Sequence, residues 1–154
     1  MRRFVCLGFI CLTLAGRGYA FDAGSIQWRS LGQEDGFNGG SVASIIQDRQ
    51  GLVWVAAAGG LYRYDGHSFE VLKPDPGMNS LASSSISAVI EDRKGNLWVG
   101  TDGGGLTRYD AAAGRFERIR LSTPEDSERY GGNPGDRIAA LAQDESGRIL
   151  IGSA

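Results

Sequence analysis

Ser41-Val-Ala-Ser-Ile-Ile-Gln-Asp-Arg-Gln-Gly-Leu-Val-Trp-Val55 occurs again as Ser85-Ile-Ser-Ala-Val-Ile-Glu-Asp-Arg-Lys-Gly-Asn-Leu-Trp-Val99. A third, weaker copy reads Arg137-Ile-Ala-Ala-Leu-Ala-Gln-Asp-Glu-Ser-Gly-Arg-Ile-Leu-Ile151. The first two copies share seven of fifteen positions. Asp48, Asp92 and Asp144 lie 44 and 52 residues apart. A period of about 40–50 residues is the length of one four-stranded propeller blade, so the spacing alone points to a repeated β unit.

Working outward from the copies, each parses into strands. Val42 to Gln47, Ile86 to Glu91 and Ile138 to Gln143 are short apolar runs mixed with Ala and Ser, suited to a strand buried on both faces at the crowded centre of a ring. Asp-x-x-Gly follows in every copy (Asp48 with Gly51, Asp92 with Gly95, Asp144 with Gly147). Asp accepts from a backbone N–H two residues on and Gly adopts the left-handed conformation, so the motif predicts a hairpin. A second strand carries Trp54-Val55 or Trp98-Val99. Leu61 to Asp65 and Leu106 to Asp110 form a third, after a glycine-rich turn. Phe69 to Leu72 and Phe116 to Ile119 mix apolar and charged residues, as a wet outer edge does. No stretch sustains a helical period. The expected fold is all-β, a partial β-propeller of four-stranded antiparallel blades, about two and a half of them.

Residues 1–20 read differently. Met1-Arg2-Arg3 is basic, Phe4 to Ala15 is apolar and Gly18-Tyr19-Ala20 has the small-x-small pattern of a signal peptidase site. The apolar run is short for a spanning helix, which needs about 20 residues. Both cysteines, Cys6 and Cys11, fall inside this leader, so the processed chain would hold no thiol for catalysis, disulfides or metal binding. It would keep 13 basic and 18 acidic side chains. That scattered acidic balance argues against a nucleic-acid surface. The 24 glycines of the full chain suit many short strands joined by tight turns.

The expected organisation is therefore a signal peptide over 1–20, then a lead-in over 21–40 with an outer strand at 26–31. Blade 1 with its connecting loop covers 41–84, blade 2 with a longer loop 85–136, and a truncated blade 3 137–154. Aligning Leu150 with Trp98 puts Ala154 on Asp102, so the chain is expected to be a fragment or truncated reading frame of a longer protein.

Gln47-Asp-Arg-Gln-Gly-Leu-Val-Trp-Val55 and Glu91-Asp-Arg-Lys-Gly-Asn-Leu-Trp-Val-Gly-Thr-Asp-Gly-Gly-Gly-Leu-Thr-Arg-Tyr-Asp110 resemble repeats of the two-component regulator propeller family. The first copy departs from the pattern, with Ala56-Ala57-Ala58 where Gly-Thr-Asp is usual and one residue fewer in the turn; the third has Leu150 in place of Trp. The resemblance implies an exported sensor region on the periplasmic side of the inner membrane. A membrane helix and a cytoplasmic output domain would follow, commonly a histidine kinase and in some members a diguanylate cyclase. Implied partners are the remaining blades, the downstream membrane and signalling domain, and an extracytoplasmic ligand. A fragment of a secreted propeller enzyme such as a lyase, and a passive interaction scaffold, are the alternative readings.

Chemistry-bearing residues are few. Gly103-Gly104-Gly105 lacks the Lys-Ser/Thr and the helix of a phosphate loop, since Leu106-Thr-Arg follows on a strand. Asp-x-x-Gly lacks the alternating carboxylates of a calcium loop. His67 is the only histidine, which excludes a His triad or a multi-His zinc site within the chain. No catalytic set and no cofactor or metal site is expected. Trp54, Trp98, Tyr64, Tyr109, Phe69 and Phe116 recur at blade period and are expected to pack between blades; Trp28 has no repeated partner. The unequal segments, Lys73 to Leu81 and Ser122 to Asp136, should emerge on the face that holds the strand-two to strand-three turns. On that face Lys73, Asp75, Thr101, Asp102, Arg129 and Tyr130 form a candidate ligand or partner rim. Lacking neighbours for its outer blade faces, the isolated chain is expected to be marginally stable or to associate.

Overall fold

The computed structural model describes residues 29–75, 80–121 and 135–153. The chain divides into two units, Met1–Ser30 and Leu31–Ala154, and every described strand lies in the second. Residues 1–20, expected to be a signal peptide, and Ile26 to Trp28 of the expected lead-in strand lie outside the described residues; Arg29 to Leu31 are not in a strand.

Among the described residues a 3-10 turn, Gln33–Asp35, precedes the sheets. Ten strands follow. Blade 1 is β1 (Val42–Gln47), β2 (Val53–Ala57), β3 (Gly60–Tyr64) and β4 (Phe69–Leu72). Blade 2 is β5 (Ile86–Glu91), β6 (Asn96–Thr101), β7 (Gly105–Asp110) and β8 (Arg115–Ile119). β9 (Ile138–Gln143) and β10 (Ile149–Ser153) begin a third. Each four-stranded sheet is an antiparallel meander in sequence order, and β9 pairs only with β10.

The hairpin between the first two strands is the same in all three copies because Asp and Gly dictate it. The Asp48 N–H donates to Leu52 O at 2.9 Å, and its Oδ1 accepts from the N–H groups of Gln50 and Leu52. Gly51, Gly95 and Gly147 take φ of 88°, 83° and 87°, where a side chain would be strained. At the far end of each first strand one extra residue bulges out of the ladder: Ala43, Ser87 and Ala139 have no partner opposite.

Alternation along the strands gives each blade two apolar flanks. One flank of blade 1 presents Ile46, Trp54, Ala56, Leu61 and Leu72 to the Val89, Leu97, Val99, Tyr109 and Phe116 flank of blade 2, and these residues make up the main core together with Leu81 and Ile86. The Trp54 and Tyr109 ring centroids lie 5.8 Å apart across that junction. The inner strands sit side by side, with β1 on β5 and β5 on β9, which is the arrangement of blades about a common axis. Of the three inner strands, only β5 is buried along half of its length. β1 and β9 are more open than a doubly buried strand should be, because β5 has a described blade on both sides and they have one on a single side only. The outer strands β4 and β8 are mostly wet, as their composition implied.

Candidate functional site

Two rims bound the blades. The rim with the Asp-x-x-Gly hairpins is built from Asp48, Asp92 and Asp144. In blade 2, Oδ1 of Asp92 accepts from the N–H of Lys94 at 2.8 Å and of Asn96 at 2.9 Å, while Oδ2 accepts from Asn96 Nδ2 and Trp98 Nε1, both at 2.9 Å. Asp48 Oδ2 accepts likewise from Trp54 Nε1 at 2.7 Å. In the third copy, where Leu150 removes the indole, Arg148 Nε donates to Asp144 Oδ2 at 2.7 Å instead. Burial alone would raise the Asp92 carboxyl, but the hydrogen bonds from Trp98 and Asn96 outweigh it and hold the group below the usual carboxylate range. Donation from Ser146 and then Arg148 holds Asp144 down to about 2.

The same rim carries a guanidinium series. Arg49 Nη1 donates to the carbonyl of Arg93 at 2.6 Å, and its N–H to Glu91 Oε2 at 3.2 Å. One blade on, Arg93 Nη1 donates to the carbonyl of Glu145 and its N–H to Gln143 Oε1 at 3.1 Å. Each blade is thus tied to the next through the residue after the repeated Asp. The sequence shows Arg at 49 and 93, but only the juxtaposition of hairpins reveals what it reaches.

Toward the opposite rim lie Lys73, Asp75, Thr101 and Asp102, the described members of the expected site. The blade 1 to blade 2 connection runs past the turns of this face. A Cβ at Gly60 would sit 3.6 Å from Lys73 Cγ, and one at Gly104 would sit 2.9 Å from Ala82 Cβ. Further on, the N–H groups of Gly103 and Gly105 both donate to Asp136 O at 2.8 Å, so the segment entering blade 3 clamps the β6–β7 turn. Lys73 and Asp75 are exposed on the first connection, where Ser80 Oγ accepts from the Asp75 N–H at 3.0 Å. Asp102 is exposed and pairs with Arg137 Nε of the next blade at 2.9 Å. Thr101 is turned inward. It is 0% exposed, its hydroxyl donates to Gly105 O at 2.9 Å and accepts from the Gly104 N–H at 3.0 Å. Thr101 therefore shapes the rim and presents no side chain on it, a correction to its place among the rim residues. Arg129 and Tyr130 lie outside the described residues.

The first copy's shorter turn has its own shape. Two residues, Ala58 and Gly59, connect β2 to β3, against Asp102 to Gly104 between β6 and β7. The ion pair at Asp102 has no counterpart there, since Ala58 stands at the equivalent position.

A groove of about 410 Å3 between blades 2 and 3 is lined by Asp92, Arg93, Lys94, Trp98, Arg108 and Gln143 among others. Repeat equivalence accounts for it. Trp98 stands where Trp54 stands, and Trp54 is covered by Tyr109 and Phe116 from the outer strands of the following blade. Blade 3 is described only as β9 and β10, so the corresponding indole is left half-buried. Among the described residues no three of His, Cys, Asp or Glu come together to hold a metal ion, and no helix is long and apolar enough to cross a membrane.

Four-stranded antiparallel blades arranged about shared inner strands define a β-propeller, and two whole blades and the start of a third are what residues 41–153 build. Residues 80–103, which span the entry to blade 2 and its first hairpin, match the family described as two component regulator propeller. Among solved structures the chain is similar to the extracellular domain of BT4673 from B. thetaiotaomicron, assigned in one structure to a one component system. Identity there is 24%, with a TM-score of 0.58, over 73% of this chain and 15% of that one. A second structure of that domain, assigned to a hybrid two component system, matches at 24% identity and TM-score 0.58 over 79% and 15%. The extracellular domain of BT3049, assigned to a hybrid two component system of the same organism, matches at 21% identity and TM-score 0.48 over 81% and 24%. The chain thus spans 15–24% of the length of these domains. No curated protein matches it.

Proposed function

We propose that this chain is part of the exported sensor region of a membrane-bound signalling protein of the histidine kinase type. It recognises an extracytoplasmic solute or partner and catalyses nothing itself. The observation that carries the reading is the two component regulator propeller match at residues 80–103, lying on a blade whose geometry is that of the fold. The leader sequence and the extracellular origin of the similar domains support export.

Recognition is assigned to the rim that carries Lys73, Asp75 and Asp102, because connections of unequal length gather there on a rigid scaffold. Arg129 and Tyr130 of the long second connection, which lie outside the described residues, are proposed as further members of that rim. Binding would bias the packing of the receptor and so its cytoplasmic output, through a difference in affinity for its two states.

Two experiments test this. Alkaline phosphatase fused after Ser153 becomes active only where its disulfides form, outside the cytoplasm; an inactive fusion that is stably made overturns export. In a strain carrying the signalling gene, the triple change Lys73→Ala, Asp75→Ala, Asp102→Ala is expected to shift or abolish the transcriptional response lost on deleting the gene. A response identical to the wild type overturns the rim.

A further inference from the structure

Asn38-Gly39 is the only Asn-Gly pair in the chain. It lies in the lead-in to blade 1, where Asn38 is exposed and Gly39 is buried. Packing demands the glycine: a Cβ at 39 would sit 2.7 Å from Tyr62 Cε2 and 2.8 Å from Ala57 Cβ. The second copy has Ala82 and Ser83 at these two positions and Thr107 at that of Tyr62, so a side chain is carried at 83 where the facing residue is small. The ring that crowds Gly39 also reaches Asn38. The Tyr62 hydroxyl donates to Asn38 Oδ1 at 2.6 Å, and Tyr62 itself is 1% exposed.

The requirements for loss of a side-chain amide meet at this dipeptide. Gly39 has no side chain to shield its own nitrogen, and among the described residues its N–H has no acceptor. The Tyr62 O–H polarises the Asn38 carboxamide and stands where negative charge collects when a nucleophile adds to it. Water reaches the carboxamide from the exposed side. That access survives a neighbouring blade, because Ala82, at the same position beside the blade 1 to blade 2 junction, is half-buried and not sealed. Asn96 is the contrast within the chain: its Nδ2 donates to Asp92 Oδ2 at 2.9 Å, and Leu97 follows it in β6.

We propose that Asn38 is a deamidation site in the folded chain, with the Tyr62 hydroxyl promoting the reaction. The Gly39 nitrogen loses its proton to water and bonds to Cγ of Asn38. The bond from Cγ to Nδ2 breaks, and Nδ2 takes up a proton and leaves as ammonia. A cyclic succinimide remains. Water adds its hydroxyl to either ring carbonyl and its proton to the nitrogen, giving an aspartyl or an isoaspartyl link at position 38. The isoaspartyl link carries an extra methylene in the main chain. Lengthening the chain there pulls on Phe37, which packs against Val55, Ala57 and Tyr62, and on the Gly39 carbonyl, which accepts from the Gly59 N–H at 3.0 Å. The modified lead-in is expected to loosen from blade 1.

The test keeps the full chain in mildly alkaline buffer, folded or in urea, and follows position 38 by peptide mass. Protein isoaspartyl methyltransferase marks the isoaspartyl product. In the folded chain position 38 is expected to convert about tenfold faster or more than Asn96, whose following leucine blocks the attack geometry. It is also expected to convert at least as fast folded as in urea, where Tyr62 no longer meets it. Tyr62→Phe is expected to slow the folded chain about threefold or more and to leave the rate in urea unchanged. Slower conversion folded than in urea overturns the proposal, because the fold would then protect the amide; this comparison decides even where Tyr62→Phe unfolds. A Tyr62→Phe chain that keeps its sheet by circular dichroism and reacts as fast as the wild type also overturns it, because the hydroxyl would then be idle.

Discussion

Replacing Asp92 with alanine removes the acceptor of four hydrogen bonds at once. The carboxylate is 6% exposed and takes the N–H groups of Lys94 and Asn96 on one oxygen and the Asn96 amide and Trp98 indole on the other. A hydrogen bond to a charged group contributes about 1.5–3 kcal/mol, and these four are not additive because they share one residue. The Lys94 donor regains water when freed, since Lys94 is exposed, while the Trp98 and Asn96 donors stay half-buried. The expected loss for Asp92→Ala is about 3 kcal/mol, a drop in melting temperature of about 10 °C. Asp92→Asn keeps an oxygen for the two backbone N–H groups but turns an NH2 toward the indole and the Asn96 amide, both donors; about 2 kcal/mol is expected. Urea unfolding followed by far-ultraviolet circular dichroism, at a concentration low enough to keep the chain monomeric, reads both. A loss below about 1 kcal/mol in the alanine variant would refute the view that this carboxylate holds the hairpin and the indole together.

Trp54→Leu, which copies the third repeat into the first, should cost about 2–3 kcal/mol by urea unfolding, because the ring that meets Tyr109 leaves a void at the blade junction. Thr101→Val keeps the shape but leaves the Gly104 N–H and Gly105 carbonyl without their partner. About 1–2 kcal/mol is expected by the same assay, and no loss would mean that water replaces the hydroxyl. Arg93→Ala should cost about 0.5–1 kcal/mol and speed amide exchange in the hairpin of residues 144–147, which its guanidinium ties down through the Glu145 carbonyl. Asp92 and Asp144 are held below their unfolded pKa of about 3.9, so the stability they confer is present above that pH and is lost as pH falls through the folded values. Melting temperature should be flat near neutrality and fall between pH of about 4 and the Asp144 value of about 2; a curve flat down to pH of about 2 contradicts the assigned hydrogen bonds.

Sequence reasoning located the first strands to the residue, since Val42–Gln47, Ile86–Glu91 and Ile138–Gln143 are bounded by a motif whose turn chemistry is local. It also placed Trp54, Tyr109 and Phe116 between blades, because side chains recurring in register on alternating strands have one direction in which to bury themselves; Trp98, Tyr64 and Phe69 have no whole described blade to meet. What it missed were contacts between atoms far apart along a bent chain. The six-residue spacing of Asp92 and Trp98 was visible, yet nothing local says that an indole N–H folds back over a hairpin to its carboxylate. Thr101 was placed on the rim because its neighbours turn there; that its side chain points inward depends on strand parity, which the extra residue in the following turn obscured. Asp102 meeting Arg137 depends on how two blades sit side by side, information that no single repeat contains.

The guanidinium series has a direction. Arg49 reaches forward to blade 2 and Arg93 reaches forward to blade 3, but the position that would reach forward again is Glu145, which receives through its carbonyl and has no guanidinium to offer. The copies are therefore not interchangeable modules. Transplanting the second copy into the third position would extend the series by one link, whereas moving the third copy forward would break the series where Glu145 landed. Blade order is written in a single side chain per repeat, and shuffling these blades, in evolution or in the laboratory, has to respect that grammar.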